Sequence, residues 1–294
     1  MKSIFMVMIA LLSLGFHSFA QGDLLIAPTR VVFEGNKQKE GLNLVNIGKD
    51  TAIYSISFVQ YNQTETGGYQ IITKPDAGQM FADPYLRIFP RTVTLAPGEP
   101  QVVMIQYRRK TDMKAGEYRS HLYFRSEKNY KPLGSKNTDT ITTISVKLTP
   151  IYGITIPIII HSGAVNVSST LSGLKLEIAQ DSILYINLNI NRTGNISIYG
   201  ELSVEYIPEQ GKPIQIGLVK GVAVYTNIYK RNISIKLNKD TGIDLTNGKL
   251  KVQYIGNEAS KRLVYAEAEM ELKHSRNIVN LSNRKPIHSK GENP

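Results

Sequence analysis

From residue 24 onward apolar side chains recur at every second position. Leu42 and Leu44 alternate with polar neighbours, as do Tyr54, Ile56 and Phe58, then Val103, Ile105 and Tyr107, then Tyr118, Leu122 and Phe124. A period of two sends successive side chains to opposite faces of an extended chain, the signature of half-buried β-strands. Turn-forming clusters separate the runs: EGNK at 34–37, NIGKD at 46–50, TGG at 66–68, APGEP at 96–100 and KAGE at 114–117. No stretch holds a 3.6-residue period. Closely spaced strands of this kind predict an all-β sandwich.

The polar stretch SEKNYKPLGSKNTDT, 126–140, has no apolar face and is expected to be a long mobile loop. It leads into ITTISVKLTPIYGITIPIII, whose even positions carry Ile144, Val146, Leu148, Ile154, Ile156, Ile158 and Ile160. Pro150, Gly153 and Pro157 interrupt this run, and prolines belong to sheet edges and bulges. A long apolar edge strand invites pairing with another chain. HSG, 161–163, marks a boundary. Beyond it seven further alternating segments follow, from Leu174–Ile178 to Ala266–Leu272, the number expected of an immunoglobulin-like sandwich. The expected fold is all-β, with two immunoglobulin-like β-sandwich domains in tandem: 1–20 a signal peptide, 21–161 and 162–273 the two domains, and 274–294 a polar, basic, disordered tail.

Length and composition sharpen this picture. The 294 residues suffice for two domains. Lys2, the apolar run at 4–16 and the small residues of SFA at 18–20 have the layout of an export signal cleaved after Ala20, with an uncleaved anchor as the alternative. No later segment is long and apolar enough to span a bilayer as a helix. The absence of cysteine suits a bacterial exported protein that relies on packed cores rather than disulfides. The net charge of +11 is spread along the chain without a nucleic-acid-binding motif. It reads as solvated basic surface, with acidic partners or membrane surface a weaker inference and nucleic acid excluded as a partner.

Nothing argues for catalysis or a cofactor. The five histidines (His17, His121, His161, His274 and His288) show no metal-ligand spacing, and no nucleophile elbow or nucleotide-binding glycine loop is present. His121, within a strand, reads as a surface or internally satisfied histidine, and Glu201 and Glu205 read as solvated carboxylates on strand faces. Arg30 is the residue that calls for a reason, because it directly precedes the apolar run Val31, Val32, Phe33. An unpaired buried guanidinium is costly, so Arg30 faces solvent, pairs with an internal acid, or awaits an external anion.

Four segments in order carry a resemblance. APTRVVFEGNKQKEGLNLVNIGKDTAIYSISF, LRIFPRTVTLAPGEPQVVMIQYRR, KAGEYRSHLYFR and the long alternating strand, across roughly residues 24–160, are similar to the periplasmic pilus and fimbrial assembly chaperones; the second domain matches in size and β pattern. The resemblance implies two immunoglobulin-like domains set at an angle and a periplasmic location. It implies pilus subunits as clients and an outer-membrane usher as a further partner. It also implies donor-strand complementation, in which the chaperone lends a strand to a subunit lacking its last one. Arg30, in T-R-x-V-F, matches the arginine that binds the subunit's C-terminal carboxylate, a ligand suited to a two-bond guanidinium fork. The family's second ligand, a lysine late in the seventh strand, falls near Gly153 or Pro157 here; Lys147 lies in the same strand several residues earlier. The family's asparagine near the end of the sixth-strand motif is replaced by Arg125. The donor strand is assigned to Ile144, Val146 and Leu148, with Ile154 and Ile156 a second register. The ordinary alternative packs this face into the protein's own core. Self-association of the empty protein stays open, as does a surface or adhesion protein of the same fold without a client.

Overall fold

The computed structural model describes residues 23–127, 152–179, 183–238, 245, 247–258, 261–272 and 279–280. They form two β-sandwiches in tandem. Strands are numbered in chain order. In the first sandwich one sheet runs β1 (Leu24–Ala27), β3 (Lys39–Asn46), β8 (Pro100–Tyr107), β6 (Leu86–Phe89). The other runs β2 (Val31–Phe33), β10 (Gly153–Ser162), β9 (Gly116–Ser126), β4 (Ala52–Gln63), β5 (Tyr69–Ile72), with β7 (Thr92–Leu95) paired to the start of β4. The second sandwich stacks β15 (Lys230–Lys236), β12 (Leu184–Gly194), β11 (Val167–Ile178), β18 (Val279–Asn280) on β14 (Ile214–Val224), β13 (Ile198–Ile207), β16 (Lys249–Glu258), β17 (Lys261–Glu271). All seven alternating segments of the second half overlap strands β11–β17.

The alternation explains the layering. In the first sandwich Leu42, Leu44, Val103 and Ile105 face Val31, Phe33, Ile56, Leu122, Phe124, Ile156, Ile158 and Ile160, all buried in one core. Ile186, Leu188, Ile190 and Ile235 face Leu202, Val204, Leu250 and Val252 in the second. Full burial of each such side chain contributes roughly 1.5–3 kcal/mol before ordering costs. The turn after β3 is fixed by Asn46, whose buried amide donates to the carbonyls of Leu95 (2.9 Å) and Asp50 (2.8 Å) and accepts from the Gly48 N–H (2.9 Å).

Three details bear on function. The first concerns the proline-marked strand. It is an edge over only part of its described length: Ile158–Ile160 lie between β9 and the parallel strand β2, whereas among the described residues Gly153–Pro157 pair with β9 alone. The reason is that β2 is three residues long. The chain leaves β1 in one sheet and enters β2 in the other, covering β10 only beyond Pro157. Second, Ile156 is 2 % exposed and belongs to the core, and Ile154 packs half-buried against it. The second donor register is therefore occupied by the protein's own sandwich. Ile144, Val146, Leu148 and Lys147 lie outside the described residues, as do the signal segment and most of the loop at 126–140. Third, within the tail expected to be disordered, Val279–Asn280 pair in parallel with Glu177–Ile178.

Candidate functional site

The two sandwiches meet along one face of the β2–β10–β9–β4 sheet. On β9 the core face carries Tyr118, Leu122 and Phe124. The period of two sends Glu117, Arg119 and His121 to the other face, toward the second sandwich. An acid, a base and a histidine at alternate positions are therefore not a solvated strand face. All three are buried, Glu117 to 1 % and His121 to 5 % exposure.

Glu117 ties the sandwiches together. One carboxylate oxygen accepts from Arg119 Nε at 2.8 Å and lies 2.7 Å from Nη2. The other accepts from the Ser197 N–H (2.8 Å) and Oγ (2.6 Å), and Arg119 Nη2 also donates to Ser197 Oγ (2.7 Å). Burial alone pushes this carboxyl's pKa up. The adjoining Arg119 charge, with the hydrogen bonds from Ser197, outweighs burial and holds it well below the usual carboxylate range. Next to this lock, the Gln63 amide donates to the Ala223 carbonyl (3.2 Å) and accepts from the Tyr225 N–H (2.8 Å). Behind it, the buried Arg192 guanidinium donates to four carbonyls, those of Gly194, Ile196, Thr226 and Ile228, at 2.9–3.3 Å. This shapes the loops that present Ser197 and Tyr225.

Between the sandwiches lies a cleft of about 440 Å³, lined by Arg30, Arg119, His121, Thr155, Pro157 and tyrosines 61, 69, 199 and 225 among others. Arg30 precedes β2, so the parallel pairing of Val31 with Ile158 puts it level with Pro157. That is the point where β10 loses its neighbour. The Arg30 guanidinium stacks 4.5 Å over the Tyr199 ring. Among the described residues no group accepts a hydrogen bond from it, and no carboxylate pairs with it. Burial, then the neighbouring Arg119 charge, bring its pKa down to about 10; it stays charged at neutral pH. Arg119 stacks on Tyr225 at 4.0 Å. His121 Nε2 and the Tyr225 hydroxyl share a hydrogen bond of 3.1 Å. Burial, then Arg119, push His121 down to about 3, so its ring is neutral. Burial raises Tyr225 to about 12, so it is un-ionised. Arg30 and Arg119, with Arg192 behind them, against the single carboxylate of Glu117 leave positive charge in excess. The arrangement can bind an anion between aromatic walls.

Sequence reasoning singled out Arg30 but left Arg119 and Glu117 unremarked, because what marks them is contact with residues 80 positions away. The strand parity of Glu117, Arg119 and His121 was the available signal. Of the other sequence candidates, Ile154 and Ile156 turn away from the cleft into the core, while their neighbours Thr155 and Pro157 line it. Among the described residues no cluster of three or more His, Asp or Glu could hold a metal ion, and no helix is long and apolar enough to cross a membrane.

No protein-family model and no curated protein matches the chain. A search of solved structures finds similar chains at low identity. The YadV chaperone is 13 % identical, with 85 % of this chain and 100 % of that one covered and a TM-score of 0.43. The CsuC–CsuE chaperone–tip subunit pre-assembly complex of Acinetobacter baumannii gives 12 %, 88 % and 100 %, and 0.42. The CupB2 chaperone of Pseudomonas aeruginosa gives 12 %, 84 % and 99 %, and 0.40.

Proposed function

We propose that the protein is a periplasmic chaperone for pilus or fimbrial subunits, which it holds by lending them a β-strand and by anchoring their C-terminal carboxylate at Arg30. One observation carries the reading: a charged, unpaired guanidinium stands at the head of an unpaired strand edge. Among the described residues Gly153–Pro157 of β10 have no neighbour on the side away from β9, and Gly153 and Thr155 are exposed. Arg30 closes that edge at its upper end. An incoming strand can extend the line of β2 along this edge. If its last residue meets Arg30, its preceding residues run back toward Gly153, so it lies parallel to β10. Main-chain hydrogen bonds, each worth about 0.5–1.5 kcal/mol net, hold the strand, and the carboxylate sets its register.

Since Ile156 and Ile154 serve the protein's own core, the apolar residues lent to the client are Ile144, Val146 and Leu148. Pro157, with no N–H to donate, ends the usable edge just below Arg30. Three such side chains offer several kcal/mol before association costs. The test is co-expression with subunit genes adjacent to its own. A subunit lacking its last strand should co-purify with the wild-type protein and be lost with Val146→Asp/Leu148→Asp, while the free variant keeps its unfolding midpoint. Failure of any subunit to co-purify, with cell or polymer binding instead, favours a surface or adhesion protein.

A further inference from the structure

The cleft and the interdomain lock use one sheet of the first sandwich. The other sheet, β1–β3–β8–β6, turns its outer face the opposite way, and that face is apolar. Strand parity sends Leu25, Val45, Val102, Met104 and Phe89 outward. Leu25, Val102, Met104 and Phe89 are exposed, Phe89 to 78 %, as is Ile47 just beyond β3. The register makes them neighbours: Leu25 stands opposite Val45, Val102 opposite Asn43, and Met104 lies between Gly41 and Phe89. At Gly41 a Cβ would stand 3.1 Å from Val102 Cγ1 and 3.5 Å from Met104 Sδ. Both side chains therefore lean over the glycine and close the strip. Single exposed apolar residues need no explanation, but a contiguous strip marks an interaction surface.

The strip has ends of opposite charge. At one end Lys39 and Arg87 flank Gln106 on the face, and the turn after β8 carries Arg108, Arg109, Lys110 and Lys114 against one acid, Asp112. Of the other acids at that end, Glu40 pairs with Lys37 and Glu34 lies against His161. At the far end stand Asp23, Asp50 and Glu99 against one base, Lys49. A face that is basic at one end, apolar in the middle and acidic at the other complements itself when turned end for end. A two-fold axis lying in the face and crossing the strands does this. It reverses the strand direction, sets strip on strip, and brings each basic end over an acidic one. An anionic lipid surface would instead meet the acidic end with its own sign of charge.

We infer that the outer face of β1–β3–β8–β6 binds a second copy of the chain, forming a two-fold dimer with the two sheets stacked antiparallel. Its strength follows from its size. Strands about 4.8 Å apart, rising about 3.4 Å per residue, give roughly 400 Å² of flat sheet per partner. With the end turns added, the contact reaches the lower limit of specific interfaces, below the about 1,200 Å² of stable ones. The dimer is therefore reversible and forms at micromolar concentrations or above. The cleft and the β10 edge lie on the other side of the sandwich, so both stay open in both copies. The inference does not depend on the chaperone reading, and either can fail alone.

Sedimentation equilibrium of the purified chain, from micromolar to sub-millimolar concentration, is the test. The wild type should show a monomer–dimer equilibrium. Val102→Thr/Met104→Gln keeps strand-compatible residues and adds no charge. It should weaken the dimer about tenfold or more, because a two-fold contact presents each residue twice. Two charge variants give a readout that does not rest on the apolar strip. Lys39→Glu/Arg87→Glu makes both ends acidic and Asp23→Lys/Asp50→Lys makes both basic. Each alone should associate about threefold to tenfold more weakly than the wild type at low salt, with the difference shrinking as salt rises. Mixed, the two should form a heterodimer at least as tight as the wild-type dimer. A wild-type chain that stays monomeric throughout overturns the inference. So does a dimer that ignores the strip variant, since it is built elsewhere, for instance along the β10 edge. Co-sedimentation of a monomeric chain with phosphatidylglycerol vesicles, abolished by Val102→Thr/Met104→Gln, would give the face to lipid instead. A charge-variant mixture that remains monomeric overturns the antiparallel arrangement.

Discussion

Replacing Glu117 by alanine should cost about 3–5 kcal/mol, the range for stripping one partner from a buried ion pair. The side chain is fully buried; one carboxylate oxygen accepts from Arg119 Nε and pairs with Nη2 on its own strand, and the other accepts from the N–H and Oγ of Ser197 of the other sandwich. The alanine variant leaves Arg119 with a desolvated charge and Ser197 with an unaccepted buried N–H. Glu117→Gln keeps the shape but sets an NH₂ against donors, so it should recover only a minor part. Marginal domain stabilities of about 5–15 kcal/mol make this a large share.

Urea unfolding reports it directly: the sixteen tyrosines, without tryptophan, give a tyrosine-fluorescence signal alongside circular dichroism. Because the network spans two sandwiches, Glu117→Gln and Ser197→Ala together should cost less than their sum. The pH dependence has a definite sign. The folded-state pKa is depressed, so the stabilisation is fully present above the unfolded carboxylate value, about 4.3, and is lost as pH falls from there toward the lower folded value. Glu117→Gln should flatten that acid slope. A midpoint change worth less than about 0.5 kcal/mol, within the scatter of ordinary surface substitutions, or an unchanged acid slope, would refute the lock.

Three shorter predictions follow from other buried contacts. Arg192→Lys keeps the charge but cannot reach all four carbonyls, so it should lower stability by at least about 2 kcal/mol in the same unfolding assay, given 1.5–3 kcal/mol for hydrogen bonds to a charged group. Gly200→Ala should cost about 1–3 kcal/mol, since a Cβ there would stand 2.0 Å from the Ile255 carbonyl oxygen of the neighbouring strand; calorimetry would show it as a lowered transition of the second sandwich. His121, with its pKa lowered to about 3, binds fewer protons folded than unfolded below pH 6.5. Its ring should show no NMR titration between pH 5 and 8, and its contribution to stability should decline as pH falls from about 6.5 toward about 3.

Much of the fold is legible in local pattern. The alternation of Tyr118, Leu122 and Phe124, or of Ile186, Leu188 and Ile190, is sufficient to set strand and face, because side-chain parity in a strand is a local property. Partner choice is not local. Nothing near Ile158 says that β2 stops at Phe33 and covers only three residues of β10, yet that short pairing makes Gly153–Pro157 an edge and Ile158–Ile160 interior. Arg30 was conspicuous as a cation beside an apolar run. Arg119 was hidden because a strand reading EYRSH resembles a solvated face until the second sandwich covers it. The sequence reads His121 as a surface or internally satisfied histidine; it is buried instead, with Nε2 bonded to Tyr225 and Nδ1 without a partner among the described residues, a depth that spacing alone does not show.

The most direct test of the central claim is calorimetry of the free chain and Arg30→Ala against a synthetic peptide of a subunit's C-terminal strand, taken from a gene adjacent to its own. Removing an unpaired, desolvated cation should leave the unfolding midpoint of the free protein unchanged or raised. Removing the carboxylate's partner should lower peptide affinity by well over tenfold, in line with about 2–5 kcal/mol for truncating one side of a buried charge pair. Unchanged affinity, or an Arg30→Ala protein that unfolds far more readily than the wild type, would mean that Arg30 serves the fold and that no client is anchored there.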